Sequence, residues 1–298
     1  MQWLEVAITT TAEAVEAVAA RVEALGSAGA VIEEPARVIA YWPADQETDG
    51  RLGSLRQFLA DLSRFGLEPG PAQVEVAWRD EAEWAEGWKR FYHTQRIGRL
   101  VIRPSWEEYR PGTGEVVVEL DPGMAFGTGT HPTTTLCLEA LAEEIAGGEF
   151  VADAGTGSGI LAIAAVRLGA ERVAACDNDP VACRVAEENA RRNGVAERVA
   201  VACRDAGTFL RELGRPADLI LANIVPEVIV DLAPELGAAL KAGGRLFASG
   251  IVAERRAEVA QALEAKGLVV SGVREREGWV LLGAVRPTGW PGREGGRG

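Results

Sequence analysis

The chain of 298 residues is long enough for two domains with substantial cores, or for one large domain. Hydrophobic residues make up 47% and charged residues 25%, and no apolar run is long enough to span a bilayer, so we expect neither export nor membrane insertion. The net charge of −13 disfavours nonspecific or stable binding to nucleic acids and favours a basic or neutral partner. Four cysteines without C-x-x-C spacing are typical of reduced core thiols in a cytoplasmic protein.

The first eighty residues predict a small α+β domain of their own. Strand-like alternation at 3–9, a helix at 11–25, a strand pair at 30–33 and 38–42, a helix at 52–65 and a strand at 74–78 follow one another. This β-α-β-β-α-β order is that of a ferredoxin-like domain, which we place at residues 1–79. Acidic residues outnumber basic ones in it and no paired aromatic residues of the RNA-reading kind occur, so a basic protein is the favoured docking partner.

A short helix is predicted to link this domain to the rest of the chain, over residues 80–96. Asp80 is a suitable N-cap residue, and Glu83 can reach back to complete a capping box. Trp84, Trp88 and Phe91 share one helix face, which favours a hydrophobic stripe that packs on a domain. Two strand-like runs at 100–103 and 115–120 follow.

From Phe150 onward strands alternate with helices, which is typical of a doubly wound, mostly parallel sheet in an α/β domain. Strands are predicted at 150–152, 172–176, 198–203, 219–222, 245–249, 268–275 and 278–285, and helices at 160–168, 180–193, around 209, 229–240 and 254–266. The last two strands form a hairpin that adds an antiparallel strand. We place this domain at residues 97–286 and a disordered tail at 287–298.

A glycine-rich turn follows the first strand of this sheet, in the run VADAGTGSGIL at 151–161. Its glycines, Gly155 and Gly157 among them, allow a tight turn and the close approach of a ligand to main-chain N–H groups at a helix start. Asp177 ends the next strand, where a carboxylate can accept hydrogen bonds from ribose hydroxyls, so a nucleoside ligand is predicted. The spacing G-x-G-x-G, in place of G-x-G-x-x-G, suits a ligand without a pyrophosphate, and the lysine of a P-loop is absent.

With the closing hairpin and the run KAGGRLF at 241–247, this arrangement resembles the S-adenosylmethionine-dependent methyltransferases, which have a seven-stranded Rossmann-like sheet. Asn223, in LILANI, narrows the resemblance, since amine- and amide-methylating relatives present Asn or Asp there, followed by Pro-Pro-Tyr where this chain has Ile-Val-Pro. Together with LDPGMAFGTGTHPTT at 120–134, DNDP at 177–180 and SGI at 249–251, nearly the whole chain resembles one family closely. That family is the bacterial methyltransferase of large-subunit ribosomal protein eleven.

The resemblance implies the activity, the cofactor and the partner. S-adenosylmethionine would be the cofactor, and the reaction would methylate amino groups of that ribosomal protein, on lysine side chains and also at the N-terminal amine. The ferredoxin-like domain docks the ribosomal protein in that family. Thr156 is a departure, because relatives commonly carry Cys there, but the glycines shape the turn.

Carried over position by position, the resemblance implies that Thr134, Gly155, Asp177 and Asn223 contact the cofactor or the reacting amine, with Asn223 as the catalytic residue. Gly157 belongs to the same turn, and we include it among the cofactor-binding residues. The cofactor set is completed by two strand-end carboxylates that we expect to face the crevice, Asp153 and Asp205. Asp205 is suited to the adenine amine, although a surface carboxylate is nearly as good an interpretation.

The segment AFGTGTHPTTT at 125–135 precedes these motifs and has glycines at one end and hydroxyl groups at the other. We expect its glycines to let the loop fold over the methionine end of the cofactor, and 133–135 to begin a helix that offers hydroxyl and N–H groups. The alternative is a helix cap with a mobile approach. No second His, Cys or carboxylate lies at ligand spacing from His131, so no metal site is expected and a structural role is predicted for His131.

Other functions remain open at this point. A methyltransferase of the same fold could act on another protein, a small molecule or RNA. A nicotinamide-dependent oxidoreductase would use the same nucleoside crevice, and a non-catalytic binding module would work through its front domain. The sequence carries no signal for the oligomeric state.

Overall fold

The structure is a computed structural model that describes residues 2–27, 30–33, 36–45, 47–65, 67–80, 92–121 and 131–288. The chain divides into two compact units, Met1–His93 and Thr94–Gly298. Three predicted features lie wholly or mostly outside the described residues: the stripe Trp84, Trp88 and Phe91 of the connecting helix, the glycines of the loop at 126–130, and the tail beyond residue 288.

The first unit is a four-stranded antiparallel sheet with two helices. Its elements are β1 (Gln2–Thr9), α1 (Val15–Ala24), β2 (Ala30–Glu33), β3 (Arg37–Pro43), α2 (Thr48–Asp61), a 3-10 turn (Leu62–Phe65) and β4 (Gln73–Asp80). The strands lie in the order β2-β3-β1-β4, so that β1 is paired on both sides. This strand order is the one expected for the predicted ferredoxin-like arrangement.

Alternation along β1 distributes side chains between the two faces of this sheet. Leu4, Val6 and Ile8 are buried in a core with residues of both helices, among them Val18, Val22, Leu55 and Leu59. On the opposite face, Glu5 accepts hydrogen bonds from the Arg79 guanidinium at 2.9 Å and from the Tyr41 hydroxyl at 3.1 Å. The unit therefore combines an apolar helix-covered face with an ion pair on the other face.

The second unit begins with a small three-stranded sheet. Its strands are β5 (Gln95–Ile97), β6 (Leu100–Arg103) and β7 (Val116–Glu119), in which β6 pairs antiparallel with β5 and parallel with β7. The strands predicted at 100–103 and 115–120 are confirmed, but β5 was not predicted. Asp80 is the last residue of β4 and Gln95 the first of β5, so a helix does not reach either end of the predicted range 80–96.

The remainder of the second unit is one large sheet with helices on both faces. The strands are β8 (Phe150–Ala154), β9 (Arg172–Asp177), β10 (Val199–Cys203), β11 (Ala217–Asn223), β12 (Leu240–Val252), β13 (Val269–Arg276) and β14 (Trp279–Val285). The helices are α3 (Pro132–Glu144), α4 (Ile160–Leu168), α5 (Pro180–Arg192), α6 (Ala206–Arg211), α7 (Pro226–Ala239) and α8 (Arg256–Ala265). Within the described ranges, no helix combines the length and apolar character needed to cross a membrane.

The strand order is β10-β9-β8-β11-β12-β14-β13, with β10 through β12 parallel and β14 antiparallel to both of its neighbours. This confirms the predicted doubly wound, seven-stranded α/β sheet with an antiparallel strand from the closing hairpin. The chain runs outward from β8 to β10 and then returns to β11 on the other side of β8. The carboxyl ends of β8 and β11 therefore mark the switch point, where open α/β sheets bind ligands.

A hydrophobic layer covers each face of this sheet. On one face α3 and α4 bury Leu138 and Ile163 against Leu221 of β11. On the other, α7 and α8 bury Ile229 and Leu263 in a second layer. Because β8 lies between the two layers, all five of its residues are buried, and one of them is a carboxylate.

The four cysteines are free thiols. Cys137, Cys176 and Cys183 are buried as predicted, whereas Cys203, at the end of β10, is exposed, so the prediction of a core position is wrong for it. Burial raises the pKa of Cys137 to about 12, which keeps this thiol protonated and unreactive at neutral pH.

Candidate active site

The glycine-rich turn after β8 lies at the switch point and is tied to the end of β9. The amide N–H groups of Gly155 and Thr156 both donate to the Cys176 carbonyl, at 3.0 and 2.9 Å. The Gly157 amide donates to the Asp177 carboxylate at 2.9 Å, and the Gly159 amide donates to the Thr156 carbonyl. The sequence predicted that a ligand would approach N–H donors of this turn. Four of these N–H groups already donate hydrogen bonds within the protein, so the turn contributes to a ligand site mainly through its shape.

That shape depends on the missing side chain at Gly155. Its φ of 81° lies in the left-handed region, and a β-carbon there would come within 2.3 Å of the Ile224 side chain. Any other residue at this position would meet both backbone strain and a steric clash. The turn after β8 and the residue after β11 therefore pack directly against each other, which brings the two strand ends of the switch point together.

Asp177, the last residue of β9, is held by hydrogen bonds to both carboxylate oxygens. Oδ2 accepts from the Gly157 amide at 2.9 Å and Oδ1 from the Asp179 amide at 3.0 Å. The residue is half-buried. Each carboxylate oxygen can accept more than one hydrogen bond, so a carboxylate fixed in this way can still bind hydroxyl groups of a ligand.

Asp153, one residue before the end of the buried strand β8, is a carboxylate with only 1% of its surface exposed. Its Oδ2 accepts from the Thr156 hydroxyl at 2.6 Å, while Oδ1 has no hydrogen-bond partner in the part of the chain that the structure describes. Burial raises the pKa of Asp153 to about 6, the Thr156 hydrogen bond opposes this, and the negative charge of Asp177 adds to it. A buried oxygen without a partner is costly unless a ligand or water satisfies it.

Asn223 ends β11 at the same edge of the sheet. It was predicted directly after the strand and is its last residue instead, paired in register with Ser249 of β12. Its side-chain N–H group lies 3.5 Å from the Thr134 hydroxyl, which is a weak contact, and its carbonyl oxygen accepts no hydrogen bond from the described residues. Thr134 itself is buried near the start of α3. The structure therefore brings Thr134 and Asn223 together and leaves an acceptor oxygen available.

The backbone of Ile224 is fixed by the neighbouring strand β12. Its amide donates to the Ser249 carbonyl at 3.2 Å. At Gly250, where φ is 83°, a β-carbon would lie 2.3 Å from the Ile224 carbonyl oxygen. Sequence analysis assigned no role to Ser249 and Gly250 beyond a motif match. Gly250 lies inside β12, which continues to Val252, and a glycine within a strand often marks a close backbone approach, so this glycine was the available signal.

His131 is the N-cap of α3, which is the structural role predicted for it. Its Nδ1 accepts from the Thr133 amide at 3.3 Å and lies 2.7 Å from the Thr133 hydroxyl. The ring packs edge-on against Trp279 at 4.9 Å. Burial lowers the pKa of His131, and the charge of Glu277 opposes that effect. Among the described residues no three His, Cys, Asp or Glu side chains are grouped as a metal site.

Asp205 lies at the carboxyl edge too, directly beyond β10. Its Oδ1 accepts from the Thr208 amide at 2.8 Å, so that it caps the short helix α6, and this hydrogen bond lowers its pKa. Asp205 is exposed. One carboxylate oxygen of Asp205 is thus used for helix capping, and a ligand would have to contact the other oxygen.

Comparison with known proteins decides which family has this site. A model of the family described as ribosomal protein L11 methyltransferase (PrmA) matches residues 2–287. The chain is 46% identical to the ribosomal protein L11 methyltransferase of Pelotomaculum thermopropionicum, over 95% of this chain and 99% of that protein. It is 44% identical to that of Moorella thermoacetica, over 95% and 96%.

The chain belongs to the ribosomal protein L11 methyltransferase family.

A solved structure of a member of the ribosomal protein L11 methyltransferase family supports the same assignment. The crystal structure of ribosomal protein L11 methylase from Lactobacillus delbrueckii subsp. bulgaricus is 36% identical, with a TM-score of 0.61, and the match covers 66% of this chain and all of that one. The resemblance seen in the sequence is confirmed, and so is the predicted class of enzyme, a methyltransferase. L11 in these names is the large-subunit ribosomal protein eleven of the sequence analysis.

Proposed function

We propose that the protein transfers methyl groups from S-adenosylmethionine to amino groups of ribosomal protein L11, on lysine side chains and at the N-terminal amine. Family membership supports the reaction and the target. The observation that carries the proposal is the position of Asn223, whose amide oxygen is unengaged at the switch point, next to the turn at Gly155. An acceptor there can hold a hydrogen of an incoming amine.

The residues around the turn fit S-adenosylmethionine. The turn at Gly155 packs against Ile224 and so fixes the shape of the switch point, and the fixed Asp177 carboxylate can accept from ribose hydroxyls. The buried, unpartnered Asp153 Oδ1 suits a cationic group such as the amino group of the methionine end. Thr134 and Gly157 border this region, and Asp205 would serve the adenine amine with its second oxygen. When bound, the cofactor supplies an electrophilic methyl group on a sulfonium.

Asn223 orients the amine in this proposal. Its side-chain oxygen accepts one amine hydrogen, and the Ile224 carbonyl oxygen, whose place is fixed by its contact with Gly250, accepts another in this proposal. The buried Ser249, which donates to the Val280 carbonyl at 3.2 Å, keeps β12 fixed beneath this pair. These contacts orient the nitrogen lone pair toward the methyl group. They position the amine but do not act as an acid or a base.

The amine must lose a proton before it attacks. A lysine ammonium has a pKa near 10.4, so the neutral form costs about 4–5 kcal/mol at pH 7. Desolvation in the site and the positive charge of the donor both favour the neutral amine. The amide oxygen of Asn223 and the carbonyl oxygen of Ile224 are too weakly basic to take this proton, so water takes it in this scheme.

The ferredoxin-like unit is proposed to dock the ribosomal protein. Its strand order and its acidic excess suit a basic protein partner. The boundaries proposed are 1–79 for docking, 80–96 for the link, 97–286 for catalysis and 287–298 for a tail, with the exception that Asp80 and Gln95 belong to strands. Cytoplasmic localisation follows from a ribosomal target and is part of the same proposal.

The proposal is tested by incubating the purified protein with tritiated methyl donor and ribosomal protein L11 taken from cells that lack this modification. Mass spectrometry then locates the label. Label on amino groups of L11 supports the proposal, and label on RNA or on another ribosomal protein alone contradicts the assigned target. A nicotinamide-dependent oxidoreductase would share the nucleoside crevice but is not supported by the family to which the chain belongs, and titration with a nicotinamide cofactor tests it directly.

A further inference from the structure

Two exposed apolar side chains lie next to the catalytic asparagine. Val225 is 57% exposed and Val228 is 39% exposed. Val225 follows Asn223 by two residues, so their Cα atoms are at most about 7 Å apart. Val228 is three residues further along, on the same face of α7 as Val225. The flanking residues Pro226 and Ile229 are buried, so these two valines are the apolar side chains that α7 presents to solvent beside Asn223.

Val225 also occupies a position where a polar residue would stabilise the protein. It is the N-cap of α7 and makes no side-chain hydrogen bond to the helix. Ser, Thr, Asp and Asn are preferred at an N-cap by about 1 kcal/mol. Three other helices that begin at this edge of the sheet have N-caps whose side chains accept a backbone N–H, namely His131, Asp179 and Asp205, whereas α4 begins at Gly159, which has no side chain. A rule of local stability is therefore broken beside Asn223, as happens at functional sites.

We propose that Val225 and Val228 contact the aliphatic stem of the lysine whose amine reaches Asn223, and so favour lysyl side chains as acceptors. This inference rests on the proposed function. A lysine carries a flexible four-carbon stem behind its nitrogen, and this stem gains from apolar contact. A serine or aspartate at position 225 would cap α7 better, but would hydrate the stem and place a second polar group next to the amine.

The charges near the valines are compatible with a lysine. Glu227 lies between them on α7 and pairs with Arg255, which is also bound by Glu258 at 2.7 Å. The arginine is thus neutralised by two carboxylates, and Asp231 is exposed one turn further along α7. A cationic side chain can approach this edge without meeting an unpaired positive charge from this group of residues. An N-terminal amine has no stem, since a polar peptide group follows its Cα directly, so it gains nothing from the two valines.

The test uses Val225→Asn, Val225→Leu and, as a matched control, Val273→Asn in the full-length protein. Asparagine is a favoured N-cap, so Val225→Asn is expected to fold at least as well as the wild type. Val273 is an equally exposed valine, 49%, on strand β13. Methylation of unmodified L11 is followed at each amino group by mass spectrometry, and cofactor affinity is measured by calorimetry.

We expect Val225→Asn to raise KM for lysyl acceptors roughly fivefold to twentyfold, with the cofactor Kd and labelling of the N-terminal amine unchanged. Val225→Leu, which keeps an apolar side chain, should raise KM less than Val225→Asn, and Val273→Asn should behave like the wild type. Equal KM values for Val225→Asn and Val273→Asn would overturn the inference while leaving the proposed function intact, and so would an equal loss with Leu and Asn at position 225. A wild type that labels no amine of L11 refutes the proposed function, and the inference with it.

Discussion

The carbonyl oxygen of Ile224 lies where Gly250 would carry its β-carbon, 2.3 Å from the ideal position of that atom. Gly250 also has a φ of 83°, in the region that glycine tolerates best. Ile224 directly follows Asn223, for which we propose the catalytic role, so the residue at position 250 determines whether the end of β11 can adopt its observed conformation.

Replacement of Gly250 by alanine should therefore damage the protein in two ways. The strained φ and the clash together should reduce the free energy of unfolding by about 1–3 kcal/mol. The displaced Asn223 should lower kcat at least about 10-fold. Gly272→Ala is the matched control, since a β-carbon there meets nothing within 4 Å. Chemical denaturation and methyl-transfer kinetics measure both effects, and a Gly250→Ala protein that matches Gly272→Ala would refute the assigned role.

Substitution of Asn223 by alanine should separate binding from turnover. The side chain makes only a 3.5 Å contact with Thr134, so its loss should leave the fold and the cofactor Kd nearly unchanged. Turnover should fall about 100-fold because the amine is no longer oriented. Asn223→Asp keeps an acceptor oxygen and should retain more activity than Asn223→Ala. Kinetics with L11 and calorimetry with the cofactor provide the two readouts, and unchanged turnover in Asn223→Ala would disprove the catalytic role.

Asp153 should make stability depend on pH in a defined direction. Its pKa is raised to about 6 by burial, so the folded protein binds this proton more readily than the unfolded chain. The resulting stability is fully present below the unfolded value near 3.8 and is lost as the pH rises through about 6. The difference between the pKa values of the unfolded and folded states corresponds to roughly 3 kcal/mol. Relative to Asp153→Asn, the wild type should therefore lose unfolding free energy between pH 4 and pH 7.5, and a constant difference over that range would contradict the prediction.

His131 should make stability depend on pH in the direction opposite to that of Asp153. Burial lowers its pKa below the usual 6.5, so its contribution to stability is present above 6.5 and is lost as the pH falls through the folded value. His131→Asn keeps an N-cap acceptor that does not titrate, whereas His131→Ala should cost about 1 kcal/mol at pH 8. Denaturation at pH 8 and pH 5.5 should show the wild type losing stability relative to His131→Asn at the lower pH. Identical differences at the two values would argue against a capping histidine.

The elements that the sequence predicted most accurately are those in which apolar residues recur with a clear strand or helix period. Alternation at 3–9 and helical spacing at 160–168 reproduce β1 and α4 to within a residue. Strand β5 has only three residues, Gln95–Ile97, which is too short for a period to show. Strand β12 begins at Leu240 rather than near Arg245, because Leu240 pairs with Ala217 of β11. The register then shifts, and continuous pairing with β11 and β14 begins at Arg245, where the strand was predicted to start.

Candidate site residues could be predicted where a motif lies within one segment of the sequence. Contacts that depend on the pairing of two strands could not be predicted. Asp177 and Asn223 follow from strand ends and motifs. The fit of Gly250 against Ile224 depends on the register of β11 and β12, which sequence periodicity does not give. The hydrogen bonds that occupy the amides of the glycine turn depend on the end of β9, in the same way. Both features depend on which strands lie side by side in the sheet.

The most direct test of the account is calorimetric titration of the wild type, Asp177→Ala and Asp179→Asn with S-adenosylmethionine. Asp179→Asn keeps a capping side chain two residues from Asp177 and serves as the control. The wild type and Asp179→Asn should bind with the same Kd, and Asp177→Ala should bind about 10- to 100-fold more weakly, since hydrogen bonds to a charged group are lost. Absence of heat with the wild type, or an Asp177→Ala protein that binds as tightly as the wild type, would contradict the account.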